Sequence, residues 1–148
     1  MRRSAGVEAV VEQLYDVMRC ADLQLAEELL SADLTVAIGT DEEEWETDHA
    51  AAVAGFVTQT REVGALRVQA GSPRGYSDGV FGWFEDRALV TFADGESAPV
   101  RVTGVVRHEK GRWRVVQVHT SVGLPNAELG LDLPTKPVTR DELTNLSD

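Results

Sequence analysis

The amino-acid sequence predicts a single α+β domain in which three N-terminal helices pack on a curved, mixed or antiparallel β-sheet. The chain has 148 residues, 43% of them apolar, which is enough for one hydrophobic core. Up to residue 62 the apolar side chains recur mainly with helical spacing, whereas residues 66–121 form short Val-rich runs separated by turn residues. Helices followed by strands are typical of the α+β class.

The N-terminal third predicts two helices and one strand. Residues 7–19 place Val7, Val11 and Leu14 on one apolar stripe, which is typical of a helix packed on a core. Asp22 is the expected N-cap of a short second helix. Residues 34–38 are continuously apolar or β-branched and end at a glycine, as expected of a buried strand.

A run of acidic residues precedes the predicted third helix. Residues 41–48 hold six carboxylates, and Thr40 with Glu43 fits a capping box, so the run is expected to form a solvated helix entrance. Trp45 is the one large apolar side chain among them. Apolar spacing then predicts the third helix over residues 47–62.

The remaining chain predicts five strands, over residues 66–71, 80–85, 88–92, 99–108 and 112–121. The last two are expected to form a hairpin with a two-residue loop at Lys110-Gly111. That loop pairs Val106 with Val115, Gly104 with Gln117 and Val102 with His119, all on one face of the sheet; a three-residue loop would shift the register. Residues 1–126 are predicted to form the domain, with 127–148 as a partly ordered or disordered tail.

Charge and composition exclude several classes of function. Residues 1–65 carry 14 acidic and 4 basic groups, a poor match for nucleic acid or for an anionic membrane. One cysteine and three scattered histidines give no metal-site spacing and no internal disulfide, so no metal and no cofactor are expected. No apolar run reaches membrane-spanning length and the N-terminus does not fit a signal peptide, so a cytoplasmic location is expected.

Several segments, in their order and spacing, resemble the nuclear transport factor 2-like superfamily and, within it, the SnoaL-like domains. The resemblance covers roughly residues 7–126. It is carried by Ala21-Asp22-Leu23, Leu29-Leu30-Ser31-Ala32-Asp33-Leu34-Thr35-Val36, Ile38-Gly39-Thr40-Asp41, Gly82-Trp83-Phe84, the run from Gly111 to Ser121, and Val122-Gly123-Leu124-Pro125-Asn126.

The resemblance implies a cone-shaped, cystatin-like α+β barrel with a pocket between sheet and helices, commonly dimeric through the outer sheet face. Its members include isomerases, cyclases, hydrolases, dehydratases and non-catalytic assembly domains, so the fold does not decide the function. Alignment with a ketosteroid isomerase puts Ala37 and Ile38 at the acidic positions of that family and Leu14 at its tyrosine. These departures argue against steroid isomerisation.

His119 is the candidate catalytic residue, because an imidazole near neutral pKa can serve as acid or base. Gln117, on the predicted inner face with it, could orient a substrate. A hydrogen-bonded structural role is the alternative for both residues.

Five further residues are candidates for ligand contact. Trp45, Trp83 and Val102 could shape an apolar cavity, His49 could share the helical face of Trp45, and Glu85 could be a carboxylate partner of His119. The alternatives are core packing for the apolar residues and simple solvation for His49 and Glu85.

Two functions remain open from the sequence. The first is binding of a small, largely apolar molecule in the cone, with cofactor-free acid–base catalysis of the cyclase, isomerase or hydratase type by His119 if the protein is an enzyme. The second is a non-catalytic dimerisation or scaffolding module, whose cone would be filled by Trp45 and Trp113. The acidic helical half also predicts an acidic rim at the pocket mouth, which favours neutral or cationic ligands.

Overall fold

The computed structural model describes residues 1–33, 35–64 and 66–131 of the chain. Its helices are α1 (Ala5–Cys20), α2 (Leu23–Leu29) and α3 (His49–Val63), followed near the end by a 3-10 turn at Asn126–Leu129. Its strands are β1 (Arg2–Arg3), β2 (Val36–Ile38), β3 (Trp45–Glu46), β4 (Arg67–Gln69), β5 (Arg74–Asp78), β6 (Phe81–Thr91), β7 (Ser97–Glu109) and β8 (Arg112–Val122).

Each helix begins at a polar cap. The side chains of Ser4, Asp22 and Asp48 accept backbone N–H groups of the first turns of α1, α2 and α3. The cap at Asp22 confirms the sequence prediction. The capping box predicted at Thr40 and Glu43 is wrong, because α3 begins only after Asp48 and the chain first forms the edge strand β3.

The described strands form one curved mixed sheet in the order β1-β5-β6-β7-β8-β2-β3, with β4 also paired to β6. All pairs are antiparallel except β2 with β8. Two predictions about the strands were wrong. The two strands predicted over residues 80–85 and 88–92 are parts of one continuous strand, β6 (Phe81–Thr91), and β5 (Arg74–Asp78) lies in an interval where no strand was predicted.

The final hairpin has the predicted two-residue loop but not the predicted register. Val106 pairs with Val115 as expected, whereas Val105 pairs with Gln117, so Val116 is an extra residue on β8. Such a β-bulge reverses the alternation of side chains beyond it. Beyond the bulge, Val118 therefore points inward. Gln117 and every second residue after it in β8 lie on the outer face.

One hydrophobic core lies between the helices and the inner face of the sheet. Its closed part, defined here as the region where α1 packs on β5–β8, is centred on Val7, Val11, Phe84 and Val106, each no more than 1% exposed. Gly104 leaves room for Phe84 there, because a Cβ at this glycine would approach Phe84 Cζ to 2.3 Å. Strand β7 and the ring of Phe84 thus lie in close contact and fill the interior at this end.

The C-terminal prediction is covered only in part. Residues 126–129 form the 3-10 turn, in which no residue is buried, and residues 132–148 of the predicted tail lie outside the described residues. Within the described part of the chain, the helices are too short or too polar to cross a membrane.

Candidate functional site

An open cavity of about 350 Å³ lies between α3 and the sheet, at the end opposite the closed part. Its walls come from α1, β2, β3, α3 and the ends of β6, β7 and β8. The apolar lining residues are Met18, Ala37, Ile38, Ala52, Phe56, Val63, Leu66, Val90, Phe92, Ala98, Val100 and Val122. Val63, Phe92 and Val122 are partly exposed, so the cavity reaches solvent beside them.

Small residues create this space. Gly55 lies in the middle of α3 and lines the cavity, and a Cβ built there meets no atom within 4 Å. Ala37, Ala52 and Ala98 line neighbouring walls. At the positions where the resemblance to ketosteroid isomerases expects acids, the cavity wall carries Ala37 and Ile38, so it has no titratable group there.

Three carboxylates line the same cavity: Glu44, Glu46 and Glu62. Glu44 is held firmly, because its Oε2 accepts the backbone N–H groups of Thr40 at 2.6 Å and Asp41 at 3.0 Å. Its Oε1 accepts the side-chain amide of Gln59. Three acidic residues of the helical half of the chain are thus among the residues that line this cavity.

Glu46 differs from Glu44 in its surroundings. The side chain is half-buried, and among the described residues it has no hydrogen-bond or ion-pair partner. Within β3, side chains alternate between faces, so Glu46 lines the cavity while Trp45 points away from it and is 62% exposed. None of the described lining residues is a lysine or arginine.

The structure brings four of the predicted site residues together on the outer face of the sheet, away from the cavity. His119 and Gln117 are exposed, and the expectation that they face the pocket is wrong because of the bulge in β8. Trp83 and Glu85 lie on the same outer face of β6. Thr103 lies opposite both Glu85 and His119, and since neighbouring strands are about 4.8 Å apart, those two residues are roughly 10 Å apart.

On the outer face, Trp83 and Glu85 contact neighbouring side chains of the same sheet. Trp83 stacks on Tyr76 with ring centroids 5.5 Å apart, and Glu85 forms an ion pair with Arg74. His119 has no hydrogen-bond partner among the described residues. The structure therefore gives neither Trp83 nor Glu85 a place in the cavity.

The three remaining candidates also lie outside the cavity. Trp45, which was predicted to shape an apolar cavity, is not among the residues that line it. His49 is half-buried at the start of α3, with Nδ1 at 3.2 Å from the carbonyl oxygen of Ser31. Val102 is buried in the core on the inner face of β7.

A buried polar pair was missed by the sequence analysis. Tyr15, fully buried, donates its hydroxyl to Asp86 Oδ2 at 2.9 Å. Asp86 also accepts the backbone N–H groups of Gly71 and Ser72, at 3.1 and 2.8 Å. Burial, and secondarily the Asp86 carboxylate, raise the pKa of the Tyr15 hydroxyl. The pair anchors the segment before β5 and does not line the cavity.

Arg107 and Arg114 of the final hairpin form ion pairs, so their charges are compensated within the protein. Arg107 contacts Glu109 at 2.6 Å and Asp33 at 3.1 Å. Arg114 lies 3.8 Å from Glu109, which also accepts the hydroxyl of Ser31. The hydrogen bond between the Arg107 side chain and Glu109 raises the pKa of the Arg107 guanidinium above its ordinary value. The described residues contain no group of three or more side chains suited to a metal ion.

Three helices on a curved sheet, with an open apolar cavity beneath α3, define an α+β cone fold. Residues 7–125 match the SnoaL-like domain family, and the chain belongs to that family. No curated protein sequence matches the chain.

Solved structures agree on the fold. A nuclear transport factor 2-like protein of unknown function from Pseudomonas putida KT2440 is 17% identical, with a TM-score of 0.73, covering 92% of this chain and all of that one. A proposed dehydratase of the same superfamily from Streptomyces avermitilis is 12% identical, with a TM-score of 0.72, covering 81% and 95%.

A third structure belongs to a different functional class. It is a proposed calcium/calmodulin-dependent protein kinase type II association domain from Thiobacillus denitrificans, 20% identical with a TM-score of 0.66, covering 79% of this chain and 94% of that one. At these identities the likeness shows the fold alone, so the function has to be argued from the cavity.

Proposed function

We propose that this domain binds a small, largely apolar molecule in the cavity beneath α3. The observation that carries the proposal is an open cavity of about 350 Å³ whose walls are mostly apolar. Pockets for small molecules have this character, with volumes from roughly 300 Å³ upward and a few polar groups that orient the ligand. The polar side chains among the described lining residues are those of Thr40, Glu44, Glu46, Gln59, Glu62 and Thr120.

The cavity also separates this function from the scaffold alternative. A purely structural cone would be filled, and the sequence analysis assigned that filling to Trp45 and Trp113. Neither lines the cavity: Trp45 is exposed, and Trp113 packs at the other end, with its ring against Gly6 and His108. Leaving such a space empty costs packing energy, which a bound molecule would recover.

Binding is tested with a panel of uncharged bicyclic alcohols and ketones, measured by calorimetry on the full chain. We expect saturable binding of one molecule per chain, and loss of that binding in Gly55→Leu, whose side chain would occupy the cavity. Gly55→Ala is the matched control, because one methyl group removes little of the space. Binding that is the same in Gly55→Leu and in the wild type would contradict the proposal.

Acid–base catalysis is a second candidate function, and the cavity favours Glu46 over His119 as its acid or base. The half-buried carboxylate of Glu46 has no partner among the described residues, so a bound substrate could exchange a proton with it. The dehydratase class proposed for the Streptomyces relative would need such a group. Wherever turnover is found, Glu46→Gln should abolish it and His119→Ala should leave it intact; the reverse result would restore the role predicted for His119.

We also propose that two copies associate through the outer sheet face. The half-exposed Trp83, stacked on Tyr76, and the partly exposed Val105 opposite it form an apolar area there. Trp83→Arg should convert a dimer to a monomer in light scattering. Trp45→Arg is the control, since Trp45 is exposed on the far edge strand; a dimer unaffected by Trp83→Arg would contradict this interface.

A further inference from the structure

We propose that the ligand of the cavity is a hydrophobic amine, with its apolar body beneath α3 and its protonated nitrogen beside the carboxylate of Glu46. This inference rests on the proposed function and adds the chemical class of the ligand to it. It follows from three features of the described residues: an unpartnered carboxylate, a cavity wall without cations, and an apolar interior.

The carboxylates of Glu44 and Glu46 differ in how far other groups of the protein compensate their negative charge. Glu44 already accepts two backbone N–H groups and the amide of Gln59, so its charge is compensated within the protein. Glu46 is half-buried against the same cavity and has no such partner among the described residues. Since none of the described residues solvates this carboxylate, that role falls to water while the cavity is open.

Ligand binding changes that solvation. A molecule that occupies the cavity displaces water from the inner side of Glu46, and a carboxylate that loses water without gaining a partner is costly. An uncharged ligand leaves this cost in place, and an anionic ligand adds repulsion. A protonated amine removes the cost, because it forms a charge-assisted hydrogen bond with the carboxylate.

The surrounding charge favours the same ligand class. The cavity wall provides no lysine or arginine within the described chain, so Glu46 has no internal cation to pair with. Glu62 lies at the rim with the same sign as Glu46. Residues 1–65 carry 14 acidic and 4 basic groups, and a field of that sign raises the local concentration of cations.

The apolar lining of the cavity determines the chemical character of the remainder of the ligand. Beyond the carboxylates the cavity is walled by side chains such as Met18, Phe56 and Leu66, which offer no hydrogen bonds. A fully hydrated cation such as a metal ion would lose its water there without gaining ligands. The ligand is therefore an amine with an apolar skeleton rather than a small hydrophilic cation.

The test uses three probes of nearly one shape and different charge: naphthylmethylamine, naphthylmethanol and naphthoate. Calorimetric titration of the full chain at neutral pH and low salt should give the order amine, alcohol, carboxylate. We expect the amine to bind about tenfold more tightly than the alcohol, as one hydrogen bond to a charged group provides. The difference in affinity between the amine and the alcohol should become smaller as the salt concentration is raised.

Two carboxylate variants assign the effect to one residue. Glu46→Gln should remove most of the preference for the amine while leaving binding of the alcohol unchanged or tighter. Glu62→Gln is the matched control, because it removes the same charge from the exposed rim and should keep most of the preference. Circular dichroism and an unfolding curve for each variant check that the fold is retained.

The outcomes separate this inference from the proposed function. If the alcohol binds as tightly as the amine, and Gly55→Leu abolishes both, the cavity is a binding site but the amine assignment is overturned. If none of the probes binds in a way that Gly55→Leu abolishes, the proposed function fails and the inference fails with it. A preference for the amine that survives in Glu46→Gln overturns the role of Glu46.

Discussion

The two ends of the interior use small residues in opposite ways. In the closed part, Gly104 is required because the ring of Phe84 occupies the space that a side chain at residue 104 would need. At the cavity, Gly55 faces no atom within 4 Å. A glycine on an inner surface therefore means close packing where a large neighbour fills the space, and an open pocket where none does.

The carboxylates show the same contrast. Asp86 is 6% exposed and accepts three hydrogen bonds, from Tyr15 and from two backbone N–H groups. Glu46 is half-buried and has no partner among the described residues. The closed part thus satisfies its buried polar groups internally, as stable interiors do, whereas the cavity leaves one carboxylate to be satisfied from outside. This difference supports the proposal that a ligand binds at the cavity end.

The largest expected effect comes from filling a glycine position in the closed part. In Gly104→Ala the new Cβ would lie 2.3 Å from Phe84 Cζ and 2.7 Å from the carbonyl oxygen of Gln117. The strand and the ring would have to move apart, which should lower the free energy of unfolding by about 1–3 kcal/mol. Urea denaturation followed by tryptophan fluorescence measures this change.

The same variant carries a control for ligand binding. Because Gly104 is remote from the cavity walls, Gly104→Ala should keep its affinity for cavity ligands under conditions in which it remains folded. Unchanged stability in Gly104→Ala would contradict the contrast between the two ends, since Phe84 would then have free space beside it.

Much of the fold could be predicted from the sequence, because its signals are local. The caps at Asp22 and the stripe containing Val7, Val11 and Leu14 depend only on neighbours within a few turns. The order of helices, strands and final hairpin follows from such signals. The family resemblance is confirmed by the SnoaL-like domain match over residues 7–125.

The predicted inward orientation of Gln117 and His119 was wrong because of one extra residue in β8. Val115 and Val118 are both buried, three positions apart, which strict alternation in a strand does not allow. The bulge at Val116 accommodates this spacing and turns His119 outward. A reading that followed the apolar residues of β8, rather than strict alternation from the loop, could have found the bulge.

Two other errors came from long-range partners that a sequence does not display. Asp86 on the inner face of β6 looked like a break between two strands, because its partner Tyr15 lies 71 residues away. Glu46 looked like part of a helix entrance, because the short strand β3 is defined mainly by pairing with β2. In both cases a polar residue had a tertiary role that local pattern could not indicate.

The second prediction concerns stability at alkaline pH, where the buried polar pair of the closed region should matter. The raised pKa of Tyr15 means that the folded protein keeps a proton that the unfolded chain releases near the ordinary tyrosine pKa of about 10. This contribution is present below that pH and is lost as the pH rises above it, by about 1.4 kcal/mol per pH unit. The variant Tyr15→Phe has no titratable group at this position, so it should not show this loss of stability at alkaline pH.

Urea denaturation at about pH 9 and about pH 11 measures this difference, both values chosen to bracket the ordinary tyrosine pKa. Tyr15→Phe should be less stable than the wild type at the lower pH, because Asp86 loses a hydrogen-bond donor. The gap between the two proteins should close as the pH rises. Equal alkaline slopes in both proteins would show that Tyr15 ionises as it does in the unfolded chain.

The smallest expected effect is a gain in stability at the open end. Gly55→Ala introduces a methyl group into the middle of α3, where the structure shows open space, and alanine favours a helix over glycine by about 0.5–1 kcal/mol. The free energy of unfolding, measured in parallel with Gly104→Ala, should therefore rise by that amount. The two variants make the same chemical change and should have opposite signs. A loss of stability in Gly55→Ala would mean that the space beside α3 is already occupied, and the cavity on which the proposed function rests would be absent.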